Sequence, residues 1–245
     1  MDASAQIKLQ YRPRIAMSEN WRETLYVLGF IPYILFTARS LVQWITSEKK
    51  QISSVNPAFW KLSLAGNLLL LIHSFIQVQY HVCVIQVANA IISWRNLNLM
   101  QPSNKRVALY TVILLFIFGI SLVTLSFYVQ ACLTDVPQWF RIPSSPWHQG
   151  EKTSFIWHSL GSVGLTLFAS RFWIQWWCAE KYQTSYLGSL FWWLSLSGEF
   201  LSLVYFIRIF DPVHILAPAF GLIPSIRNLM LIAKAKKPLL FKQEA

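Results

Sequence analysis

Charge is what this sequence has least of. Only 13% of its 245 residues are Asp, Glu, Lys or Arg, and 55% are hydrophobic. An ordinary soluble domain carries about 25% charged residues, and a core of this size cannot hide so much apolar surface. The shortage of charge excludes a disordered chain, argues against a soluble globular enzyme, and leaves an integral membrane protein. Cysteine is scarce too. Cys83, Cys132 and Cys178 lie far apart in or beside apolar runs, with no C-x-x-C and no neighbouring His cluster, so neither a disulfide framework nor a metal site is supported. His73, His81, His148, His158 and His214 show no metal-ligand spacing. There is no nucleophile elbow, Walker loop, GxGxxG or H-E-x-x-H. No cofactor is expected. A secretory signal peptide is not expected either, because the first apolar run is too long for one.

What the chain does have is long apolar runs. About 20 mostly apolar residues cross a bilayer as a helix. Seven segments qualify: 24–46, 58–77, 82–99, 107–131, 155–178, 190–209 and 213–232. The uncharged stretch from Leu62 to Trp94 is too long for one crossing, and Gln77, Gln79, Tyr80 and His81 mark its turn. Trp21, Trp60, Trp139, Trp147 and Tyr182 stand near segment ends, as an interfacial belt would. The net charge of +11 is spread over the ends of these runs, a topology signal rather than a nucleic-acid groove. The alternate loops that share a side with the C-terminus hold more Lys and Arg than the other side, which puts the C-terminus in the cytoplasm; the basic N-terminal tail argues the other way. The loop 132–154 is polar, aromatic and Pro-rich and would lie outside the cytoplasm.

The sequence also repeats itself. Laid over itself so that Arg39 falls on Arg171, the stretch 38–97 aligns with 170–229 without a gap, with 20 identities in 60 positions. Gln43-Trp44 then falls on Gln175-Trp176, Glu48 on Glu180 and Arg95-Asn96 on Arg227-Asn228. Shared lipid-facing composition does not explain matched Arg, Gln, Glu and Asn. The chain therefore reads as an all-α polytopic membrane protein in a 3+1+3 layout. A tail (1–23) precedes the first three-helix repeat (24–99). A linker helix and loop (100–154) lead to the second repeat (155–233) and a basic tail (234–245). An odd unit joined through one extra helix keeps both repeats in the same orientation, related by an axis along the membrane normal with a site at their interface.

The candidate binding residues follow from cost. Ionisable groups at membrane depth are expensive and face a bundle interior or cavity. Arg39 and Gln43, like Arg171 and Gln175, share one helix face. An Arg fork suits phosphate or carboxylate, and a Gln amide suits sugar hydroxyls. The plainer alternative is that Arg39 and Arg171 snorkel to headgroups or pair with Glu48 and Glu180. Arg95 and Arg227 could be interfacial anchors, whereas Asn96 and Asn228 are harder to dismiss. Trp44 and Trp176 belong to the same repeated motif. Glu199 stands where the first repeat has Asn67 and needs a partner or a proton. Gln86 could line a pocket, while its counterpart Pro218 would kink its helix. Asp211 and Arg208 flank a turn and read as a local salt bridge. Ser63/Gly66 and Ser195/Gly198 read as close-packing positions.

On Arg171-Phe172-Trp173-Ile174-Gln175-Trp176, Glu180, Phe191-Trp192, Ser195, Gly198, Asp211, Val213 and Arg227-Asn228-Leu229, and on their first-copy counterparts, the sequence resembles the bacterial lipid A biosynthesis N-terminal domain family. This is the membrane part fused ahead of the glycosyltransferase in some lipid-A-disaccharide synthases. Ala217-Pro218 and Glu199 depart from the family motif, which makes any polar site asymmetric. The resemblance implies a bacterial inner-membrane protein that binds, presents or translocates a phosphorylated glucosamine lipid. It also implies as partners membrane lipids, a lipid A precursor or other lipid-linked sugar, and a separate glycosyltransferase. No nucleic acid is expected. The synthase chemistry belongs to a soluble domain of several hundred residues, and Lys234–Ala245 is all that follows the last segment, so catalysis is not expected from this sequence. A more distant resemblance to SWEET and PQ-loop proteins offers the alternative of a small-sugar transporter. The two readings differ in geometry. A lipid handler needs a laterally open groove faced by Arg39 and Arg171. A solute carrier needs a closed cavity where Gln86, Asn96 and Asn228 converge.

Overall fold

A backbone surrounded by hydrocarbon must close its own hydrogen bonds, and the described residues of the computed structural model form seven long helices. It describes residues 21–22, 24–133, 139, 154–209 and 212–241, with side chains for all of these but 133, 212–214 and 236–241. A 3-10 turn, Tyr26–Gly29, leads into α1 (Phe30–Lys50). There follow α2 (Pro57–Ile76), α3 (Tyr80–Leu99), α4 (Leu109–Leu133), α5 (Phe155–Tyr182), α6 (Ser189–Arg208) and α7 (Pro212–Phe241). Among the described residues, five stretches, around α1, α2, α4, α6 and α7, are long and apolar enough to cross a membrane. The other two helices, α3 and α5, touch each other and bury Arg95, Asn96, Arg171 and Gln175.

Local chemistry sets the ends. Both α1 and α5 stop at a left-handed glutamine, Gln51 (φ 53°) and Gln183 (φ 51°), at equivalent positions of the repeat. Lys49 and Lys50 sit in the last turn of α1, where the helix dipole favours cations. Asn56 caps α2 by accepting from the Phe59 N–H, and Pro57 takes the first helical position. The α2–α3 turn falls at Gln77–Gln79, where the uncharged stretch was expected to break; Tyr80 and His81 already belong to α3. Val78 turns there with φ 57°, a conformation costly for a β-branched residue, and it is fully buried against Cys83, Val87, Val123 and Phe127. Helix α7 runs beyond the apolar segment expected at 213–232, because Ala233, Lys234 and Ala235 are good helix formers that need no lipid. The loop 132–154 lies outside the described residues except for α4's end, Trp139 and Ser154, and so does Asp211.

Consecutive helices pack in two sets, α1 on α2 on α3 and α5 on α6 on α7, while α4 lies against α3. The sets meet along two seams, α1 with α7 and α3 with α5. Phe59, Trp60, Ile92, Phe172, Phe191 and Trp192 are buried together between them. Around the outside, large apolar side chains are exposed, with Ile117 58%, Phe118 65% and Leu125 58% accessible on α4 alone. A surface of this kind suits lipid. Trp60, expected in an interfacial belt, is instead fully buried, because its indole N–H finds Ser185 Oγ at 2.8 Å inside the bundle.

Candidate functional site

The repeated polar residues meet their opposite numbers across the seams. On the α1–α7 seam, the Gln43 and Asn228 amides exchange two hydrogen bonds, 2.9 and 3.0 Å. On the α3–α5 seam, Gln175 and Asn96 do the same at 2.6 and 3.0 Å. Beside each amide pair lies an ion pair. Glu180 takes Arg95 Nε and Nη2 at 2.6 and 2.9 Å, and Glu48 takes Arg227 Nε and Nη2. Trp44 and Trp176 donate their indole N–H groups to these glutamates, at 3.2 and 3.0 Å. A third crossed pair has Trp60 donating to Ser185 and Trp192 to Ser53, at 2.8 and 3.0 Å. Each of these contacts on one seam has its counterpart, between the equivalent residues of the repeat, on the other.

The seams differ in depth. Arg95 is 2% exposed and also donates to Asn98 Oδ1 and the Val107 carbonyl, which tie it to the α4 approach. Arg227 and Glu48 are about a third exposed. Glu48 and Glu180 thus take Arg227 and Arg95, the two basic residues that had an anchoring alternative. Arg39 and Arg171 neither snorkel nor pair with those glutamates.

Instead, Arg39 and Arg171 are buried at 6% and 5% exposure. Each Nη1 donates to a serine on the next helix, Arg39 to Ser63 and Arg171 to Ser195, both at 3.0 Å. Phenyl rings surround the guanidinium groups. Arg39 lies 4.6 Å from the Phe36 ring centre and Arg171 3.5 Å from that of Phe168, its counterpart. Phe172 serves both, at 5.1 and 4.8 Å. Such contacts stabilise a desolvated cation. Beyond this the two sites diverge. Arg171 also donates to Glu199 Oε1 at 3.2 Å, and Glu199 accepts from Ser225 at 2.7 Å. In the first repeat the matching pair is neutral, with Asn67 donating to Ser93 at 3.4 Å. Among the described residues no carboxylate pairs with Arg39, and Arg171 Nε has no partner.

Both arginines line one narrow cleft with room for about 20 Å³, the space of a water-sized group. Its walls are Arg39, Ser40 and Gln43 of α1, Phe59 of α2, Arg171 of α5, Phe191, Trp192 and Glu199 of α6, and Gly221, Pro224 and Ser225 of α7. Two guanidinium groups and one carboxylate leave it one positive charge. Of the expected binding residues, the cleft therefore gathers Arg39, Gln43, Arg171 and Glu199. Trp44, Glu48, Arg95, Asn96, Trp176, Gln175, Glu180, Arg227 and Asn228 stand in the seams. Gln86 is buried on α3 away from the cleft. Sequence reasoning missed Ser63 and Ser195 as arginine acceptors, Ser225 as a carboxylate donor, and the phenyl rings. The first two are among the repeat identities, the one signal that could have raised them. Gly66 and Gly198 do serve close packing, since a Cβ would come within 2.5 Å of the Phe36 ring and 2.6 Å of the Phe168 backbone.

Fold and site together define a helical, membrane-compatible protein with a duplicated polar seam and a cationic cleft. The chain belongs to the Lipid A Biosynthesis N-terminal domain family, whose sequence model matches twice, at 28–98 and 160–230, in the register of the internal repeat. That family ties it to lipid A biosynthesis, a bacterial pathway. It is 38% identical over 214 residues to a lipid-A-disaccharide synthase of Chlamydia pneumoniae, and 36% identical over 213 to one of Chlamydia caviae. A Chlamydia trachomatis lipid-A-disaccharide synthase is 33% identical over 210 residues. These alignments cover 86–87% of this chain but 34% of each relative, so the chain spans about a third of their length. No solved structure matches.

Proposed function

We propose that this protein holds a phosphorylated glucosamine lipid in the bacterial inner membrane, presenting or translocating it for lipid A assembly. The observation that carries this reading is the buried Arg39 guanidinium, which forms no ion pair among the described residues and lines one cleft with Arg171 and Glu199. A buried cation without a counter-ion is costly unless a ligand supplies one, and a forked guanidinium fits phosphate oxygens bidentately. Trp192, Phe59 and Phe191 give the cleft apolar walls for a sugar face or acyl chain. The cleft lies at the contact between the two three-helix units, which we infer to run parallel about an axis along the membrane normal. Its lining favours a lipid handler over a carrier of free sugars, because Gln86, Asn96 and Asn228 do not converge in it. We place the C-terminus in the cytoplasm on the charge of the loops. A glycosyltransferase, the activity that the relatives' names carry, would receive the lipid on that side.

Binding of a radiolabelled diacylglucosamine 1-phosphate to purified protein in detergent tests this. Arg39→Gln should weaken it about 10- to 100-fold, the worth of one charge-assisted contact. Free glucosamine 1-phosphate should not compete. Unchanged lipid affinity in an Arg39→Ala, Arg171→Ala protein would sink the phosphate role, and strong competition by the free sugar phosphate would favour a solute carrier.

A further inference from the structure

We propose that the duplicated fold keeps a single anion site, on the α1–α7 seam, taking the phosphate of one lipid that arrives sideways from the bilayer, while the matching α3–α5 seam is closed. This rests on the phosphate reading above and deepens it. Where the α1–α7 seam has Ser40, Gly221 and Pro224, the α5–α3 seam has Phe172, Asn89 and Ile92. The first three line the cleft. Phe172 and Ile92 are buried in the core with Val112 and Phe116 of α4. A phenyl ring thus fills on one side the space that a serine leaves on the other, and α4 covers only the filled side.

Charge is divided just as unequally. Glu199 sits on the α7 side of the cleft, and Gly221 makes room for it: a Cβ there would come within 2.3 Å of Oε1. Glu199 is hydrogen-bonded to Arg171 and Ser225, whereas Arg39 has no ion-pair partner among the described residues. Arg171 Nε, buried and unpartnered, is a second donor for an incoming anion. The lipid source follows from the flanks. Leu41 and Ile45 on α1, and Phe220 and Ile223 on α7, are close neighbours in sequence of the lining residues and are 43–52% exposed. A headgroup reaching Arg39 between them would leave its tails against apolar side chains.

The test uses the full chain with Cys83→Ala, Cys132→Ser and Cys178→Ala, carrying Ser40→Cys as a reporter. Its thiol is reacted with a sulfonate-bearing and a trimethylammonium-bearing methanethiosulfonate, and each rate is normalised to a free thiol. The sulfonate should be preferred about tenfold, the size of effect a charged cleft has on local ion concentration. Arg39→Gln should abolish the preference. Phosphatidic acid in mixed micelles should slow labelling at least fivefold, whereas phosphatidylcholine or the same concentration of inorganic phosphate should not. In the protein without the reporter, phosphatidic acid should saturate at one per chain, and Ser40→Phe should abolish its binding while thermal unfolding is unchanged. A preference for the cationic reagent, a preference that survives Arg39→Gln, equal protection by inorganic phosphate, no protection by phosphatidic acid, or two lipids per chain would each overturn the proposal. If phosphatidic acid protects but diacylglucosamine 1-phosphate does not bind, the glucosamine reading fails and the single site stands.

Discussion

Gly221 and Glu199 are matched in size, and the first repeat has Asn89 and Asn67 in their places. A longer acid has been accommodated by deleting a side chain opposite. Gly221→Ala should therefore push the Glu199 carboxylate off Arg171 and Ser225, lowering stability by about 1–3 kcal/mol as other overpacked sites do. The shorter acid in Gly221→Ala, Glu199→Asp should recover most of that loss, read as the thermal midpoint in detergent. That Arg39, Arg171 and Glu199 turn inward was legible because a charge in an apolar run is conspicuous, and the structure buries all three beside one cleft. Ser63 and Ser195 were read as small packing residues, since sequence alone does not tell a hydroxyl that accepts from an arginine from one that merely lets helices approach. The Phe rings were invisible for a similar reason, in a chain where 16% of residues are aromatic.

Among the elements, α1 and α7 are held by a fully buried amide pair. Gln43→Ala and Asn228→Ala should each cost about 1–2 kcal/mol. The double variant should cost little more than either alone, a coupling that a double-mutant cycle of unfolding free energies would read. All seven helices were legible because hydrocarbon thickness fixes their minimum length. Their ends were less so. The apolar criterion stopped α5 at 178 and α7 at 232, yet Glu180 and Lys181 continue α5 to its left-handed Gln183 cap. Helix formation depends on backbone hydrogen bonds and propensity, which do not stop where the lipid does. The turn at Gln77–Gln79 was placed by its polarity, but nothing in the sequence announced that Val78 would adopt a left-handed conformation.

Taken whole, the molecule is a duplication whose halves grip each other through crossed contacts. The internal repeat revealed which residues are equivalent but not which ones touch, because equivalence lies along the chain and contact lies across the seams. Two chemically identical ion pairs should respond differently to the same change. Glu180→Gln leaves Arg95 buried without its counter-ion and should cost about 3–5 kcal/mol. Glu48→Gln, at the exposed seam, should lower the thermal midpoint far less, and added salt should narrow that smaller difference further.

Each half also carries both sides of every grip. Residues 30–99 contain Gln43 with Asn96, Glu48 with Arg95 and Trp60 with Ser53, and residues 155–233 contain the same six types. Either triplet of helices is therefore self-complementary. Produced separately, two copies of one triplet can satisfy as a symmetric dimer the bonds that the intact chain satisfies within itself. The covalent link through α4 then does more than connect: it keeps unlike halves together, and so keeps Ser40 opposite Gly221 instead of opposite Asn89.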